Sequence, residues 1–404
     1  MSFVPLDDPA VPVEIAARVR RVKPSPTVAL TGRVARLKAE GKDIIGLGVG
    51  EPDFDTPTHI ADAGVEAIRK GFTRYTAVEG IPELKDAIIG KFKRDNGITY
   101  ARPQVLVSTG AKQTIYNLFM SVIDPGDEVV IPAPYWVSYP DMALLADGVP
   151  VMPYAGPEQG YKITPEQLEQ AITSRTRVFM LNSPSNPTGA AYTRAELEAL
   201  GAVIERHPRV IVATDDMYEH IYWAPEPFCS FLTANPQLYD RTVTINGVSK
   251  SYAMTGWRIG YCGGPAEIVT AMSTIQSQST SNPVSMSQKA AVAALNGDQA
   301  CVAAMNEHFK QRHDFFNAGL NALPGFKVLP AAGTFYAFCD VSGAIANLGL
   351  ADDNAFAEYL LEKAGVAGVP GSGFGAPGHI RFSFAVSMQT LEQALERIGK
   401  ALRG

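Results

Sequence analysis

The amino-acid sequence predicts an α/β protein built on a mainly parallel sheet with helices on both faces. Short apolar runs alternate with helical segments between about residues 60 and 300, which is the pattern of strand–helix–strand units. Candidate functional positions 110, 186, 215 and 250 each follow an apolar run. Ligands of such sheets bind beyond the carboxyl ends of the strands, so these positions can converge on one site. A chain of 404 residues is long enough for two domains or one large α/β unit.

The composition is that of a soluble globular protein, with 46% hydrophobic and 19% charged residues. No stretch approaches the roughly 18 consecutive apolar residues of a membrane span. The net charge of −6 argues against general nucleic-acid binding, which needs clustered positive charge. The cysteines, Cys229, Cys262, Cys301 and Cys339, are scattered, and neither they nor the histidines show metal-ligand spacing. A reducing compartment suits such cysteines, and the N-terminus lacks an apolar signal segment, so we expect a cytoplasmic protein without a metal.

The first part of the chain predicts an arm, two helices and a turn. Residues 1–26 are rich in proline and predict an extended arm. Helices are expected over residues 28–40 and 58–70, each ended by a glycine. Between them an apolar run enters a turn that contains Gly48 and Gly50, where the backbone can approach a ligand closely. On its residues alone this segment is an ordinary turn.

Residues 105–119 predict a strand, a turn at Gly110 and a helix that starts with Ala111 and Lys112. The N–H groups and the dipole of a helix N-terminus attract anions. We therefore expect a phosphate or a carboxylate here, although an ordinary strand–helix turn is the alternative. Trp136 follows the next strand, where an indole can stack on a flat ring.

The next two strands each deliver polar side chains. A buried strand leads to Asn186, which precedes a proline and is therefore held away from helical geometry. A strand over residues 210–213 ends near Asp215, and Tyr218 follows. A carboxylate beyond a buried strand is costly unless it is paired, and a protonated pyridine nitrogen is a suitable partner. The alternative for Asp215, and the expectation for its neighbour Asp216, is an exposed turn.

A strand over residues 242–245 is followed by Gly247, Lys250 and Arg258. The loop that carries Lys250 is rich in small and polar residues, so we expect it to lie outside the core. A lysine in this setting can form a Schiff base with an aldehyde cofactor while the arginine binds its phosphate. On their own the two residues are more typical of solvated cations on a surface loop.

From about residue 300 the pattern changes to a long helix followed by strands over residues 334–340 and 380–385 and further helices. This pattern predicts a second, α+β unit. Arg381 stands at the start of the last strand, and the planar fork of a guanidinium suits a carboxylate. The alternative is a surface arginine on an edge strand.

The segment Ser249-Lys250-Ser-Tyr-Ala-Met-Thr-Gly-Trp-Arg258-Ile-Gly resembles the cofactor-lysine signature of class I aminotransferases, which are fold-type I pyridoxal-phosphate enzymes. The resemblance extends from about Pro24 to Arg403, with separate motifs in the family's order. Within the family the sequence is most similar to the bacterial branch that contains aspartate and prephenate aminotransferases.

The resemblance implies a domain organisation and a homodimer. The N-terminal arm is residues 1–26, the small α+β domain is residues 27–59 and 300–404, and the large cofactor-binding domain is residues 60–299, with a mainly parallel seven-stranded sheet. In the implied homodimer the active sites are shared, because the arm packs on the partner and Tyr75 reaches the other subunit's cofactor phosphate. No nucleic-acid or membrane partner is implied.

The resemblance also implies a role for each candidate residue. Lys250 carries pyridoxal 5'-phosphate, Asp215 pairs with its ring nitrogen and Tyr218 with its phenolic oxygen, and these three are the implied catalytic residues. The further cofactor-binding residues are Gly110, Ala111, Lys112, Trp136, Asn186, Arg258 and Tyr75. The substrate-binding residues are Gly50, Lys112, Trp136, Asn186 and Arg381.

The implied reaction is ping-pong transamination between an L-amino acid, first aspartate or glutamate, and a 2-oxo acid such as 2-oxoglutarate or oxaloacetate. Arg381 is expected to hold the α-carboxylate. Some aspartate aminotransferases bind the distal carboxylate with an arginine, but none lies between Arg258 and Arg312, so we expect Lys112 to do so. A prephenate or aromatic aminotransferase, a C–S lyase on the same scaffold and a regulator's binding module stay open as alternatives. The short arm leaves little room for the regulator's DNA-binding domain.

Overall fold

The computed structural model describes residues 14–403. The helices are α1 Ala17–Arg20, α2 Pro26–Ala39, α3 Thr58–Arg69, α4 Pro82–Lys91, α5 Ala111–Val122, α6 Ser138–Leu145, α7 Pro165–Ala171, α8 Arg194–Glu205, α9 Phe231–Ala234, α10 Ala266–Ser277, α11 Ser285–Asn296, α12 Ala300–Asn321, α13 Ser342–Leu348, α14 Asp353–Tyr359 and α15 Met388–Ala401. The strands are β1 Ile45–Gly46, β2 Val105–Ser108, β3 Glu128–Val130, β4 Val149–Val151, β5 Thr176–Asn182, β6 Ile211–Asp215, β7 Thr242–Gly247, β8 Gly260–Gly263, β9 Lys327–Val328, β10 Tyr336–Asp340, β11 Val366–Ala367, β12 Val369–Pro370 and β13 His379–Ser383.

The largest sheet of the described chain has seven strands in the order β2-β8-β7-β6-β5-β3-β4. Strand β8 runs antiparallel to both of its neighbours, and the other pairs are parallel. Alternate residues of β5 enter different cores: Met180 packs with α5, and Phe179 packs with α8. Because helices cover both faces, the strands are continuous apolar runs. The predicted mainly parallel, seven-stranded sheet is confirmed.

The register of the central strands determines which residues lie side by side at their carboxyl ends. Asn182 of β5 pairs with Asp215 of β6, and Asp215 pairs with Ile245 of β7. Since these strands are parallel, their carboxyl ends lie at the same edge of the sheet. The segments that carry Asn186 and Lys250 therefore begin side by side.

A second sheet has the order β12-β13-β10-β9, and β1 pairs in parallel with β11. Strand β13 lies between β12 and β10, so Arg381 is on an internal strand and is only 2% exposed. The alternative of a surface arginine on an edge strand is therefore wrong. The β1–β11 pair joins residues 45–46 to the C-terminal part of the chain, as the predicted small domain requires. The domain boundaries themselves stay predictions.

The predicted arm falls partly outside the described residues. Residues 14–25 contain the short helix α1, and an ion pair of 2.5 Å between Arg21 and Asp147 ties this segment to the end of α6. The helix expected over residues 28–40 is present as α2. Within residues 14–403, no helix combines the length and the apolar composition that crossing a bilayer requires.

Candidate active site

A pocket of about 250 Å³ opens at the carboxyl ends of β5, β6 and β7. Its wall includes Gly50, Tyr336 and Arg381 from the part of the chain that forms the smaller sheets. The predicted site residues that line it are Gly50, Ala111, Lys112, Trp136, Asn186, Asp215, Tyr218, Lys250, Arg258 and Arg381. Residues from separate segments of the sequence thus meet in one cavity, which is the usual form of a small-molecule site.

Lys250 extends into this pocket from the turn after β7. Its ammonium donates a hydrogen bond of 2.6 Å to the backbone oxygen of Gly50. The neighbours Ser249 and Ser251 are 5% and 4% exposed, so the expectation that this loop lies outside the core is wrong. Small side chains let the turn pack tightly against the strands. Burial lowers the pKa of Lys250 to about 8, because a charged amine is disfavoured away from water.

Asp215 faces the same pocket from the end of β6. Its Oδ2 accepts a hydrogen bond of 2.7 Å from the hydroxyl of Tyr139, and its Oδ1 accepts one of 3.2 Å from the N–H of Met217. Burial raises the pKa of Asp215 to about 6, and the bond from Tyr139 opposes that rise. Both oxygens are thus partly satisfied by the protein.

Asp216 is buried, at 1% exposure, so the expectation of an exposed turn is wrong. Its Oδ1 accepts a hydrogen bond of 2.6 Å from the Thr214 hydroxyl. Burial raises the pKa of Asp216 to about 7, and the charge of Glu219 adds to that rise. The chain does not become exposed after β6, since residues 216–219 are all buried.

The hydroxyl of Tyr218 lies 2.9 Å from that of Tyr336. Tyr336 begins β10, and its hydroxyl would lie 2.2 Å from a Cβ placed on residue 50. Only glycine therefore fits at position 50 while this tyrosine pair stays in place. Burial raises the pKa of Tyr218 well above its ordinary value, so its hydroxyl keeps its proton and can donate a hydrogen bond.

Arg381 is a buried guanidinium whose hydrogen bonds in the described chain go to neutral oxygens. Its Nη1 donates to Oδ1 of Asn186 and its Nη2 to the backbone oxygen of Gly48, both at 2.7 Å. Its Nε has no partner within residues 14–403, and its Cζ lies 4.3 Å from the centre of the Tyr336 ring. A buried cation without an acidic partner attracts an anionic ligand.

The opposite wall carries Arg258 and the start of α5. Arg258 has a φ of 57° and donates a hydrogen bond of 2.9 Å to the backbone oxygen of Thr255. Gly110 does not line the pocket, but a Cβ on it would lie 2.1 Å from Nη2 of Arg258. The first N–H groups of α5, those of Ala111 and Lys112, precede the first intrahelical donor. A cation beside a helix N-terminus is a ready anion site.

Lys112 and Trp136 lie together at the mouth of the pocket. The Lys112 ammonium is 4.9 Å from the centre of the indole ring, which is within range of a cation–π contact. The protein atoms around this amine, and to a lesser degree Arg258, lower the pKa of Lys112.

Tyr75 does not reach the pocket of its own chain. Its side chain is 92% exposed, although the loop around it is fixed from inside. Fully buried Gln276 and Gln288 bond to residues 78 and 76 of that loop at 2.7 and 3.0 Å. The loop therefore holds a large aromatic side chain outward in a defined place.

The sequence interpretation missed Tyr139 and Tyr336 as site residues. Tyr139 lies in the first turn of α6, three residues after Trp136, and the two rings meet edge to face at 5.2 Å. That spacing is a signal that could have revealed Tyr139. Tyr336 lies in an aromatic run that cannot be told from an ordinary core strand.

Comparison with known proteins gives consistent results. The family model described as aminotransferase class I and II matches residues 42–398. A curated relative from Nitrosomonas europaea, named aspartate/prephenate aminotransferase, is 57% identical over 96% of this chain and 100% of its own length. The protein of that name from Cereibacter sphaeroides is 54% identical over 94% of this chain and 96% of its length.

Solved structures agree with this assignment over nearly the full length. The aspartate aminotransferase of Rhizobium meliloti has a TM-score of 0.92 at 47% identity, covering 97% of this chain and 99% of its own. That of Thermus thermophilus with maleate has a TM-score of 0.91 at 42% identity, covering 96% and 100%. This chain belongs to the class I and II aminotransferase family, and it is an enzyme of the aminotransferase class.

Proposed function

We propose that this aminotransferase uses pyridoxal 5'-phosphate to exchange an amino group between a dicarboxylic L-amino acid, aspartate or glutamate, and a 2-oxo acid. One observation carries the proposal. The half-buried Lys250, the buried Asp215 and the buried Arg381 line a single pocket. Each of these groups is costly to bury without a ligand.

The residues present suit such a cofactor. Arg258 and the N-terminus of α5 would hold its phosphate. Because Gly110 has no side chain, the Arg258 guanidinium has room to lie beside it. Asp215 would pair with the ring nitrogen, Tyr218 and Asn186 with the phenolic oxygen, and Trp136 would cover the ring. When bound, the cofactor supplies an aldehyde that receives the amino group and a ring that accepts electrons from the substrate's Cα.

Lys250 is the residue proposed to carry the cofactor and to move the substrate's α-proton. With its pKa lowered to about 8, a useful share of its Nζ is unprotonated near neutral pH, as a base requires. The Gly50 oxygen that accepts its hydrogen bond orients the amine towards the cavity.

Arg381 is proposed to bind the substrate's α-carboxylate. Its Nη1 and Nη2 are bonded to Asn186 and Gly48, and these contacts fix the plane of the guanidinium. A carboxylate bound to this fork would gain charge-assisted hydrogen bonds. The substrate's Cα would then be held close to the Lys250 amine that lines the same pocket.

Asp215 is proposed to keep a positive charge on the cofactor's ring nitrogen. Its pKa of about 6 leaves it mostly ionised at neutral pH, and a nearby cation would lower that pKa further. Tyr139 donates to Oδ2 at 2.7 Å and the N–H of Met217 to Oδ1 at 3.2 Å, so Oδ1 is the less strongly bonded of the two oxygens.

A dicarboxylic substrate is favoured by Lys112. Its ammonium lines the pocket mouth, where it would bind a distal carboxylate. The relatives named aspartate/prephenate aminotransferase and the solved structure with maleate, a dicarboxylate, support this choice. Prephenate, a 2-oxo acid that also bears a second carboxylate, is the second candidate and meets the same charge pattern.

We also propose a homodimer, located in the cytoplasm, in which Tyr75 completes the partner's phosphate site. The support is that the Tyr75 side chain is 92% exposed, although two buried glutamines hold its loop in place by hydrogen bonds. An exposed aromatic side chain on a fixed loop is typical of a residue that is buried on association.

The test is a substrate panel. The purified protein is loaded with pyridoxal 5'-phosphate and mixed with aspartate, glutamate, prephenate or an aromatic partner, and amino-acid and 2-oxo-acid products are followed. We expect pyridoxamine phosphate to form when aspartate is added without a 2-oxo acid, and we expect it to be consumed when 2-oxoglutarate is then added. Release of sulfide and ammonia from added cysteine, with no pyridoxamine phosphate formed from any substrate of the panel, would indicate a lyase and contradict the proposal.

A further inference from the structure

A buried ion pair lies outside the set of residues that line the pocket and takes no part in the proposed reaction. The Glu219 carboxylate contacts the Lys91 ammonium, and the two side chains are 3% and 2% exposed. Lys91 ends α4, and Glu219 directly follows Tyr218. Replacing such a pair by apolar residues is often neutral or stabilising, so stability alone is a weak reason for its presence.

The Glu219 carboxylate has a partner for each oxygen. Its Oε1 accepts a hydrogen bond of 2.7 Å from Nδ2 of Asn246, and its Oε2 accepts one of 2.8 Å from Nδ2 of Asn96. Lys91 donates to Oδ1 of Asn96, also at 2.8 Å. Burial works to raise the pKa of Glu219, but Lys91, His220 and Asn96 outweigh it and leave that pKa below its ordinary value. The carboxylate is therefore ionised at neutral pH.

Other titratable groups face the pair. The Nε2 of His220 lies 3.2 Å from Oδ2 of Asp95, and burial lowers the pKa of His220. Asp216 faces it from the same turn, with a pKa of about 7. Ligand atoms of Asp95, Glu219 and His220 lie within 4.8 Å of one another. The Lys91 ammonium already supplies the positive charge of this cluster, so its carboxylates need no metal ion.

Glu219 connects the two segments that carry Tyr218 and Lys250. The backbone ladder between β6 and β7 ends at the pair Asp215 and Ile245, and one further bond of 2.9 Å joins the N–H of Asp216 to the oxygen of Ile245. Beyond that point, the bond from Asn246 to Glu219 continues the connection. Asn246 also accepts a hydrogen bond of 2.7 Å from the N–H of Gly247 through its Oδ1, at the start of the turn to Lys250.

We propose that Glu219 is a positioning residue, which acts through Asn246 to set the Lys250 amine against the Tyr218 hydroxyl, with Lys91 as its counter-ion. The inference rests on the proposed roles of Lys250 and Tyr218. A carboxylate held by two amides and an ammonium has one orientation. It therefore fixes the position of the segment that carries Tyr218 relative to the segment that carries Lys250. Displacements of about 1 Å in such groups can cost about 100-fold in rate.

The experiment compares Glu219→Gln with Glu128→Gln in the cofactor-loaded enzyme. Glu128 is a matched control, because it is 3% exposed and accepts bonds from Thr173, Arg175 and Thr176 at the other end of the sheet's strands. An amide at position 219 must turn its N–H groups either towards Asn246 and Lys91, which contact Oε1, or towards Asn96, which donates to Oε2, so the carboxylate's set of bonds cannot stay complete. We expect kcat to fall about 10-fold with KM changed less than about twofold, whereas Glu128→Gln lowers only thermal stability.

A second variant, Asn246→Ala, leaves the ion pair intact and breaks only the connection to the Lys250 segment. We expect a similar fall in kcat, and we expect the double variant to lose no more than either single variant, since both remove one link.

The outcomes separate the two proposals. If the wild type and Glu128→Gln transaminate while both Glu219→Gln and Asn246→Ala keep kcat within about twofold per folded molecule, the pair is structural and the inference is overturned. Additive losses in the double variant overturn it equally. If the wild type itself does not transaminate, the proposed function fails, whatever the variants do.

Discussion

The hydroxyl of Tyr139 donates a hydrogen bond of 2.7 Å to Oδ2 of Asp215, and both side chains are buried. This bond offsets part of the burial that raises the pKa of Asp215. It also leaves Oδ1 as the oxygen that is free to receive a strong donor from a ligand, because its only partner in the described chain is the N–H of Met217 at 3.2 Å.

Replacing Tyr139 by phenylalanine should therefore raise the pKa of Asp215 above about 6 and increase its protonated fraction at neutral pH. We expect the acid limb of the kcat/KM profile to move upward by about half a pH unit or more. The control is Tyr100→Phe, which removes a buried hydroxyl that donates to Thr244. An acid limb that is the same in wild type and Tyr139→Phe would contradict this role.

Gly110 and Arg258 give a second prediction. Alanine at position 110 would place a Cβ 2.1 Å from Nη2 of Arg258 and push the guanidinium out of the proposed phosphate site. We expect the dissociation constant of pyridoxal 5'-phosphate to rise at least about tenfold. Gly126→Ala is the control, because Gly126 has a φ of +89° against +82° for Gly110 but meets no atom within 4 Å. Equal affinities of the two variants would count against the phosphate site.

Lys112 should control the preference for a second carboxylate. In Lys112→Gln, kcat/KM for aspartate should fall about 10- to 100-fold, because a charge-assisted contact is lost. The value for alanine, which has no distal carboxylate, should stay within about twofold of wild type. Because aspartate and alanine are measured on the same variant, a general loss of activity would lower both values and a loss of distal-carboxylate binding would lower only the value for aspartate. Equal losses would show that Lys112 serves the cofactor and not the substrate.

Lys250 should also reduce the stability of the cofactor-free protein. A shift of its pKa from 10.5 to about 8 means that burying the charge costs about 3 kcal/mol. This cost is present in full below pH 8 and disappears as pH rises towards 10.5, where the unfolded chain also loses its proton. Lys250→Met should therefore melt at a higher temperature than wild type at pH 7, and the gain should vanish near pH 10.5. A lower melting temperature at pH 7 would contradict the shift.

Much of the site follows from the sequence because apolar strands end where polar residues begin. Asn186, Asp215 and Lys250 each come directly after a buried run, and in a parallel sheet such ends must meet. Arg381 could be assigned to a strand but not to its buried position, since that depends on β12 and β10 pairing on either side of it.

Other features depend on long-range packing that local patterns do not contain. Asp216 is polar and follows a strand, so a turn at the surface is the reasonable expectation, yet its chain folds inward. The Glu219–Lys91 pair joins residues 128 positions apart, and neither residue stands in a motif. Tyr336 is aromatic and apolar enough to be read as core, and only its contact with Tyr218 shows that it faces the pocket.

The proposed reaction depends most on Lys250 as the residue that carries the cofactor. The most direct measurement is to load the wild type with pyridoxal 5'-phosphate, fix any link between aldehyde and amine with borohydride, and locate the label by peptide mass spectrometry. We expect the label on Lys250 and no label in Lys250→Ala. A label on Lys112 or any other lysine, or a wild type that takes up no label, would contradict it.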